Sequence, residues 1–194
     1  MALREIIYPD NPVLRKKARR VTSFDGKLHQ MLDDMAETMM SADGVGLAAP
    51  QVAVSQRAIV VRLPDGEEWV EEYGDQAGKL YEVVNPDIVK ASREMVEGVE
   101  ACLSIPGYLG SVERHVTVTV RGQDRYGASI RLKVRDWLAR VFQHEIDHLD
   151  GILYIDRASK VWKAGEKPPS ELEDESQPII EELAEQSTDP PILT

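Results

Sequence analysis

Apolar residues recur at helical spacing in two stretches of the chain and cluster in short runs in four others. Leu28, Met31, Leu32, Met35 and Met39 repeat at intervals of three and four, which predicts an amphipathic helix near residues 26–42. Late in the chain, Leu138, Val141, Phe142, Glu145 and Leu149 share one arc when residues are set about 100° apart, and Asp136, Arg140, Gln143, Asp147 and Asp150 lie opposite. Asp136 reads as the N-cap of this second helix and Gly151 as its stop, giving about four turns. Strand-like runs fall at residues 58–63, 81–85, 116–121 and 130–134, separated by turns containing Gly or Pro. Residues 64–79, with Asp65-Gly66, Glu67-Glu68 and Glu71-Glu72, read as an exposed acidic loop or hairpin insertion. Strands in succession, with helices segregated to the two ends, predict an α+β fold in which antiparallel β-sheets pack around a central helix.

One residue breaks the amphipathic pattern. Glu145 sits inside the apolar arc, where an uncompensated carboxylate is costly, so it reads as a partly desolvated acid/base group rather than a surface charge. It lies in Gln143-His144-Glu145-Ile146-Asp147-His148, a His-Glu-x-x-His pattern. Imidazoles four residues apart project from neighbouring turns of one helix face, and the Glu between them can serve a hydrolytic metal centre. Two histidines satisfied by ordinary hydrogen bonds would give the same letters, so a second signal is needed.

Cys102 supplies it. As the chain's one cysteine it forms no internal disulfide, which leaves a buried apolar role, a catalytic thiolate or a metal ligand. With His144 and His148 it makes three protein ligands and leaves a fourth position open, the arrangement of a catalytic site. The remaining histidines, His29 and His115, fall in the first helix and at a strand start, where surface or core roles fit. A third signal is Gly44-Val45-Gly46-Leu47-Ala48-Ala49-Pro50-Gln51. Its Gly-x-Gly-x-x-Ala letters fit a dinucleotide fingerprint, but a helical pattern precedes it and Pro50 interrupts any helix after it, so the context is wrong for a nucleotide. Small residues here allow close backbone approach to a ligand, and the Gln51 amide is suited to a developing oxyanion.

These motifs, with Glu100-Ala101-Cys102-Leu103-Ser104, resemble those of the peptide deformylases, in family order over residues 4–160. The opening Ile6-Ile7-Tyr8-Pro9-Asp10 and Pro12-Val13-Leu14-Arg15 are similar to that family's N-terminal strand and turn. Ala101 departs from the family's usual Gly. The resemblance implies a cytoplasmic enzyme, bacterial or organellar, that removes the formyl group from the N-terminal formyl-methionine of new polypeptides and releases formate. It implies one metal ion on Cys102, His144 and His148, natively Fe2+, with Zn2+, Ni2+ or Co2+ as substitutes. Glu145 would carry the proton, while Gln51 and the backbone N–H of Leu103 would stabilise the oxyanion. Glu100, two residues from a ligating thiolate, would be held by Arg114. The substrate would lie as an extended strand against Val45, Gly46 and Ala101, with its methionine side chain near Trp137, Val141 and Val45.

Composition bounds the rest. The 194 residues carry a net charge of −11, which argues against a nucleic-acid partner, and no apolar run is long enough to span a membrane. The chain opens into strand-like sequence rather than a signal peptide. Residues 168–194 hold eight acidic and no basic side chains, leaving −3 for residues 1–167. The division expected is a catalytic domain over 1–163 and an acidic, disordered tail over 164–194. Some deformylases end in a basic helix thought to dock on the ribosome, and this tail departs from that, so transient ribosome association would have to do without it. Two rival readings are a non-catalytic formyl-peptide or metal-binding homologue, for which Ala101 speaks, and a His-Glu-x-x-His protease. The protease needs a third ligand downstream, where the chain offers Tyr154 or Glu166.

Overall fold

A computed structural model describes residues 2–166. The acidic extension therefore lies outside the described residues from 167 onward. Helix α1 (Gly26–Ser41) forms where the apolar spacing predicts it, and Asp25 caps it by accepting from the backbone N–H groups of Lys27 and Leu28. Strands β1 (Gly46–Ala48), β2 (Ala58–Arg62), β3 (Leu80–Ala91), β6 (Thr117–Gln123) and β7 (Ser129–Arg135) make an antiparallel sheet in the order β1-β2-β3-β6-β7. Strands β4 (Met95–Cys102), β5 (Ile105–His115) and β8 (Lys160–Lys163) make a second antiparallel sheet, β4-β5-β8. Helix α3 (Asp136–Leu149) sits between the two, so the α+β expectation holds.

The run Ala58-Ile59-Val60-Val61 is apolar throughout because β2 is covered on both faces. Ile59 and Val61 pack toward α3 with Val83, Val118, Val120, Val134 and Phe142, whereas Ala58 and Val60 pack toward α1 with Met31, Leu32 and Val84. Helix α1 packs on the β1 and β2 side of that second face and touches the β6–β7 turn through His29 and Asp33, which bond Arg125. On β6 and β7 the alternation is cleaner, with Val118, Val120 and Val134 inward and Arg121, Arg131, Lys133 and Arg135 outward and exposed.

Three expectations need correcting. Residues 64–79 are not a plain loop or hairpin: they contain α2 (Glu67–Tyr73), whose Trp69 and Tyr73 rings stack at 5.7 Å against the α3 side of the core. Asp136 is the first residue of α3, at φ 52°, rather than its N-cap; Arg135 precedes the helix and no side chain caps it. The N-terminal residues 2–7 form no strand, and Ile7 is tied to the body by its N–H donating to Gln51 O at 2.9 Å. The arc of α3 that the sequence sets opposite its apolar residues is buried as well: Arg140, Gln143 and Asp147 are enclosed because the small sheet covers them, which amphipathic spacing alone does not foretell.

Candidate metal centre

Two elements bring the donor atoms together. Cys102 ends β4, at a bulge in the β4–β5 hairpin, and α3 presents His144 and His148 one turn apart. One donor atom from each of Cys102, His144 and His148 lies within 4.8 Å of the others, and all three residues are buried. Cys102 Sγ is 3.2 Å from His148 Nε2. Ligand distances of about 2.1 Å for nitrogen and 2.3 Å for sulfur place tetrahedral donors about 3.3–3.7 Å apart, so this set fits one divalent ion. Neither protease alternative joins them: Tyr154 donates its hydroxyl to Tyr108 O at 3.1 Å, and Glu166 is exposed past the end of β8.

The candidate ligands are held from behind by charges that the linear sequence keeps far apart. His144 Nδ1 donates to Glu100 Oε2 at 2.9 Å, which turns the opposite ring nitrogen toward Cys102. Arg114 grips Glu100 with a two-pronged contact, Nε to Oε1 at 2.8 Å and Nη2 to Oε2 at 2.9 Å. The expected Glu100–Arg114 pair is therefore present. Arg140, which the sequence pattern placed on an outer face, adds a second cation: its Nη1 donates to Glu100 Oε1 at 2.9 Å and to Val112 O at 2.7 Å, and its Nη2 to Val96 O at 2.8 Å. Arg114 also reaches Asp147, which Arg157 holds from the other side through two hydrogen bonds of 2.6 and 2.8 Å. Burial alone would raise the Glu100 carboxyl, but its hydrogen bonds from Arg114 and His144 hold it down at about 2.

Glu145 meets the opposite environment. Burial pushes its carboxyl up to about 7, and Oε2 has no hydrogen-bond partner. Gly46 makes room for it, since a Cβ at that position would fall onto the carboxylate, 2.8 Å from Cδ. Gln51 is oriented by its own backbone surroundings: Oε1 accepts from Ala48 N at 2.8 Å, so Nε2 points to Cys102 Sγ at 3.5 Å and Ser104 Oγ at 3.3 Å. Burial drives His148 well below the usual imidazole range, with the neighbouring His144 acting in the same direction. His144 is instead held well above it, because its contacts with Cys102 and Glu100 outweigh burial.

A cleft of about 250 Å³ opens onto this group. Its wall includes Val45, Gly46, Ala101, Trp137 and Val141, the five residues expected to receive a substrate, and also Gln51 and Leu103. Ala101 is exposed on the β4 strand, with its methyl group at the cleft rather than in the core. Every site residue expected from the sequence thus converges on one place. Arg140 and Asp147 were missed, and the signal that could have found them was the excess of charge on a helix too central to have a wet face.

The model for the polypeptide deformylase family matches residues 3–164. Similar chains include the peptide deformylase of Symbiobacterium thermophilum, 47% identical over 182 residues, covering 94% of this chain and 79% of that one. Another is that of Dehalococcoides mccartyi strain CBDB1, 49% identical over 158 residues, covering 80% and 86%. Among solved structures, the peptide deformylase from Thermotoga maritima superposes with a TM-score of 0.73 at 39% identity, covering 82% of this chain and 99% of that chain. A class I type b peptide deformylase from Acinetobacter baumannii, solved with Met-Ala-Ser bound, gives 0.72 at 34% identity, covering 80% and 98%.

Proposed function

The chain belongs to the polypeptide deformylase family, and from that premise we propose that Cys102, His144 and His148 hold its metal and that Glu145 carries the proton in its reaction. The reaction is hydrolysis of the N-formyl group of nascent polypeptides, which yields formate and a free N-terminus. The observation that supports these roles is the meeting, at one cleft, of three buried donor atoms with a buried carboxylate whose Oε2 has no hydrogen-bond partner.

A divalent ion bound there supplies Lewis acidity, which makes water a stronger acid and polarises a carbonyl. Glu145, raised toward neutrality by burial, takes a proton from the attacking water and returns it to the departing amine nitrogen as the formyl C–N bond breaks. The Gln51 side-chain N–H group and the Leu103 backbone N–H face the carbonyl oxygen as negative charge develops on it. Val45, Gly46 and Ala101 receive the extended peptide, and Trp137 and Val141 receive the methionine side chain. Glu100 and Arg114 keep His144 in the tautomer that ligates through the ring nitrogen nearer Cys102. Membership of the family supports Fe2+ as the native ion, with Zn2+, Ni2+ or Co2+ able to substitute, and a thiolate among the ligands leaves a ferrous site sensitive to oxygen. No described helix is long and apolar enough to cross a membrane. The proposed setting is the cytoplasm, in transient association with ribosomes carrying the nascent substrate. The non-catalytic reading is not favoured, since the relatives that match most of the chain are peptide deformylases.

Formate release from formyl-Met-Ala-Ser, by protein purified anaerobically with ferrous iron, tests this directly. Glu145→Ala is expected to lower kcat by about 10²–10⁴ with metal content unchanged. Full turnover in that variant would remove Glu145 from the mechanism, and no turnover by metal-loaded wild type would sink the catalytic assignment.

A further inference from the structure

The face of the large sheet turned away from α3 is covered by α1 along β1 and β2, and left bare along β6 and β7. Its composition is at odds with the rest of the molecule. Arg121, Arg131 and Lys133 stand exposed on it, joined by Lys90 from β3 and by Arg20 at one end, where Lys17 and the largely buried Arg57 are instead paired with Asp150. They border two depressions of about 480 and 560 Å³, in which Asp87 is the one carboxylate. A chain of net charge −11 has therefore gathered five exposed cations on one surface, beside the two that Asp150 holds.

The arrangement works against the folded state. Arg121 and Arg131 are direct cross-strand partners, and like charges directly opposite destabilise a sheet. Lys133 faces Thr119, which is also the partner of Lys90, so these cations flank one hydroxyl. The Arg121–Asp87 contact is 4.0 Å long between side chains that are both more than 60% exposed, too weak to offset the repulsion. Lys90, Arg131 and Lys133 have no side-chain partner among the described residues. Uncompensated cations spaced along strands, with hydroxyls and amides between them, match the phosphates of a polyanion.

We propose that this face, in contrast to the acidic chain as a whole, whose net charge of −11 gave no expectation of a nucleic-acid partner, docks the sugar–phosphate backbone of double-stranded RNA. Neither depression has an aromatic lining residue, so there is no platform for stacking single-stranded bases and no aromatic anchor for a membrane interface. Thr117, Ser129 and Gln123 offer donors and acceptors for phosphate and 2′-hydroxyl groups, giving recognition by shape rather than sequence. The choice of RNA rests on the nascent-chain reading, since structured RNA is the polyanion beside a polypeptide under synthesis. The metal centre lies on the α3 side of the sheet, so docking leaves the substrate cleft open.

The test is fluorescence anisotropy of a labelled RNA duplex of about 20 base pairs against the full-length, metal-loaded protein over a salt series. Wild type is expected to bind with a log–log salt slope of about −3. Arg131→Glu with Lys133→Glu is expected to weaken binding at least tenfold and flatten the slope by about two. A control of equal charge, Lys27→Glu with Lys79→Glu on other surfaces, is expected to change binding less than threefold. Arg131→Glu replaces a repulsive cross-strand pair with an attractive one, so the fold should tolerate it, and an unchanged or raised melting temperature would show this. No binding at low salt, equal weakening by the control pair, or capture by phosphatidylserine vesicles in place of RNA would overturn the proposal. Formate release from a free formyl-peptide, run on the same preparations, is expected to be equal in all three. Its absence together with intact RNA binding would support the docking face and count against the enzymatic assignment alone.

Discussion

At the residue scale the site depends on one missing methyl group. Gly46 and Glu145 come from opposite ends of the chain, and the space a Cβ would take at 46 is filled by the Glu145 carboxylate. Gly46→Ala is expected to displace that carboxylate and lower kcat by about 10²-fold or more, while Cys102, His144 and His148 keep their metal. Steady-state kinetics beside metal analysis checks this, and a variant with normal kcat would show that Glu145 has room to move. Arg140 carries a second expectation. Its guanidinium bonds Glu100 and two strand backbones from a buried position, and a Cβ on Gly98 would lie 2.7 Å from it. Arg140→Ala is expected to cost about 3 kcal/mol in denaturant unfolding, because a buried carboxylate loses one of its two cations. His144, His148 and Glu145 were legible in the sequence because helical spacing is local, and Cys102 because it is the chain's one cysteine. Arg140 was not, because the strands it bonds are 28 to 44 residues away and its length hides which way it turns.

At the scale of elements, α1, the middle strands and α3 could be read from periodicity, since each buries a face large enough to impose one. The β4–β5 hairpin could not. Its residues include Glu97, Gly98, Glu100 and Arg114, and the two buried charges sit where an alternating pattern calls for apolar side chains. Helix α2 was hidden for another reason: its anchor is distant, with Trp137 N donating to the Tyr73 hydroxyl at 3.1 Å across 64 residues. The N-terminal segment, which forms no strand, depends on α1 instead. Asp34 accepts from Ala2 N at 3.0 Å, from Gln30 at 2.7 Å and from Arg4, and these bonds hold its carboxyl below the usual range. A depressed folded-state pKa means that the stabilisation is complete above about pH 4 and fades as pH falls through the folded value. Wild type should therefore be more stable than Asp34→Asn at pH 6, and the gap should narrow toward pH 3. Denaturant midpoints at the two pH values measure it, and a gap that widened in acid would contradict the sign.

For the whole molecule, the metal centre is where the two sheets meet. Gln51 follows β1 of the larger sheet, Cys102 ends β4 of the smaller, and α3 between them brings both histidines. An ion bound there ties the β4 hairpin to α3. An ion present at about 1,000 times its Kd contributes about 4 kcal/mol to the folded state, so chelation is expected to lower the melting temperature by roughly 10 °C. Calorimetry before and after treatment with a chelator checks this, and superimposed scans would mean that the sheets do not rely on the ion.

Cys102 is the chain's one thiol, is 8% exposed, and is the proposed ligand. The protein therefore carries its own gauge of occupancy. A maleimide or disulfide reagent should find nothing to modify in the loaded enzyme and one equivalent in the stripped enzyme, so a thiol titration counts vacant molecules in a preparation. The same silence makes the surface a blank for labelling: a cysteine introduced at an exposed position takes a fluorophore alone, provided the ion is in place first.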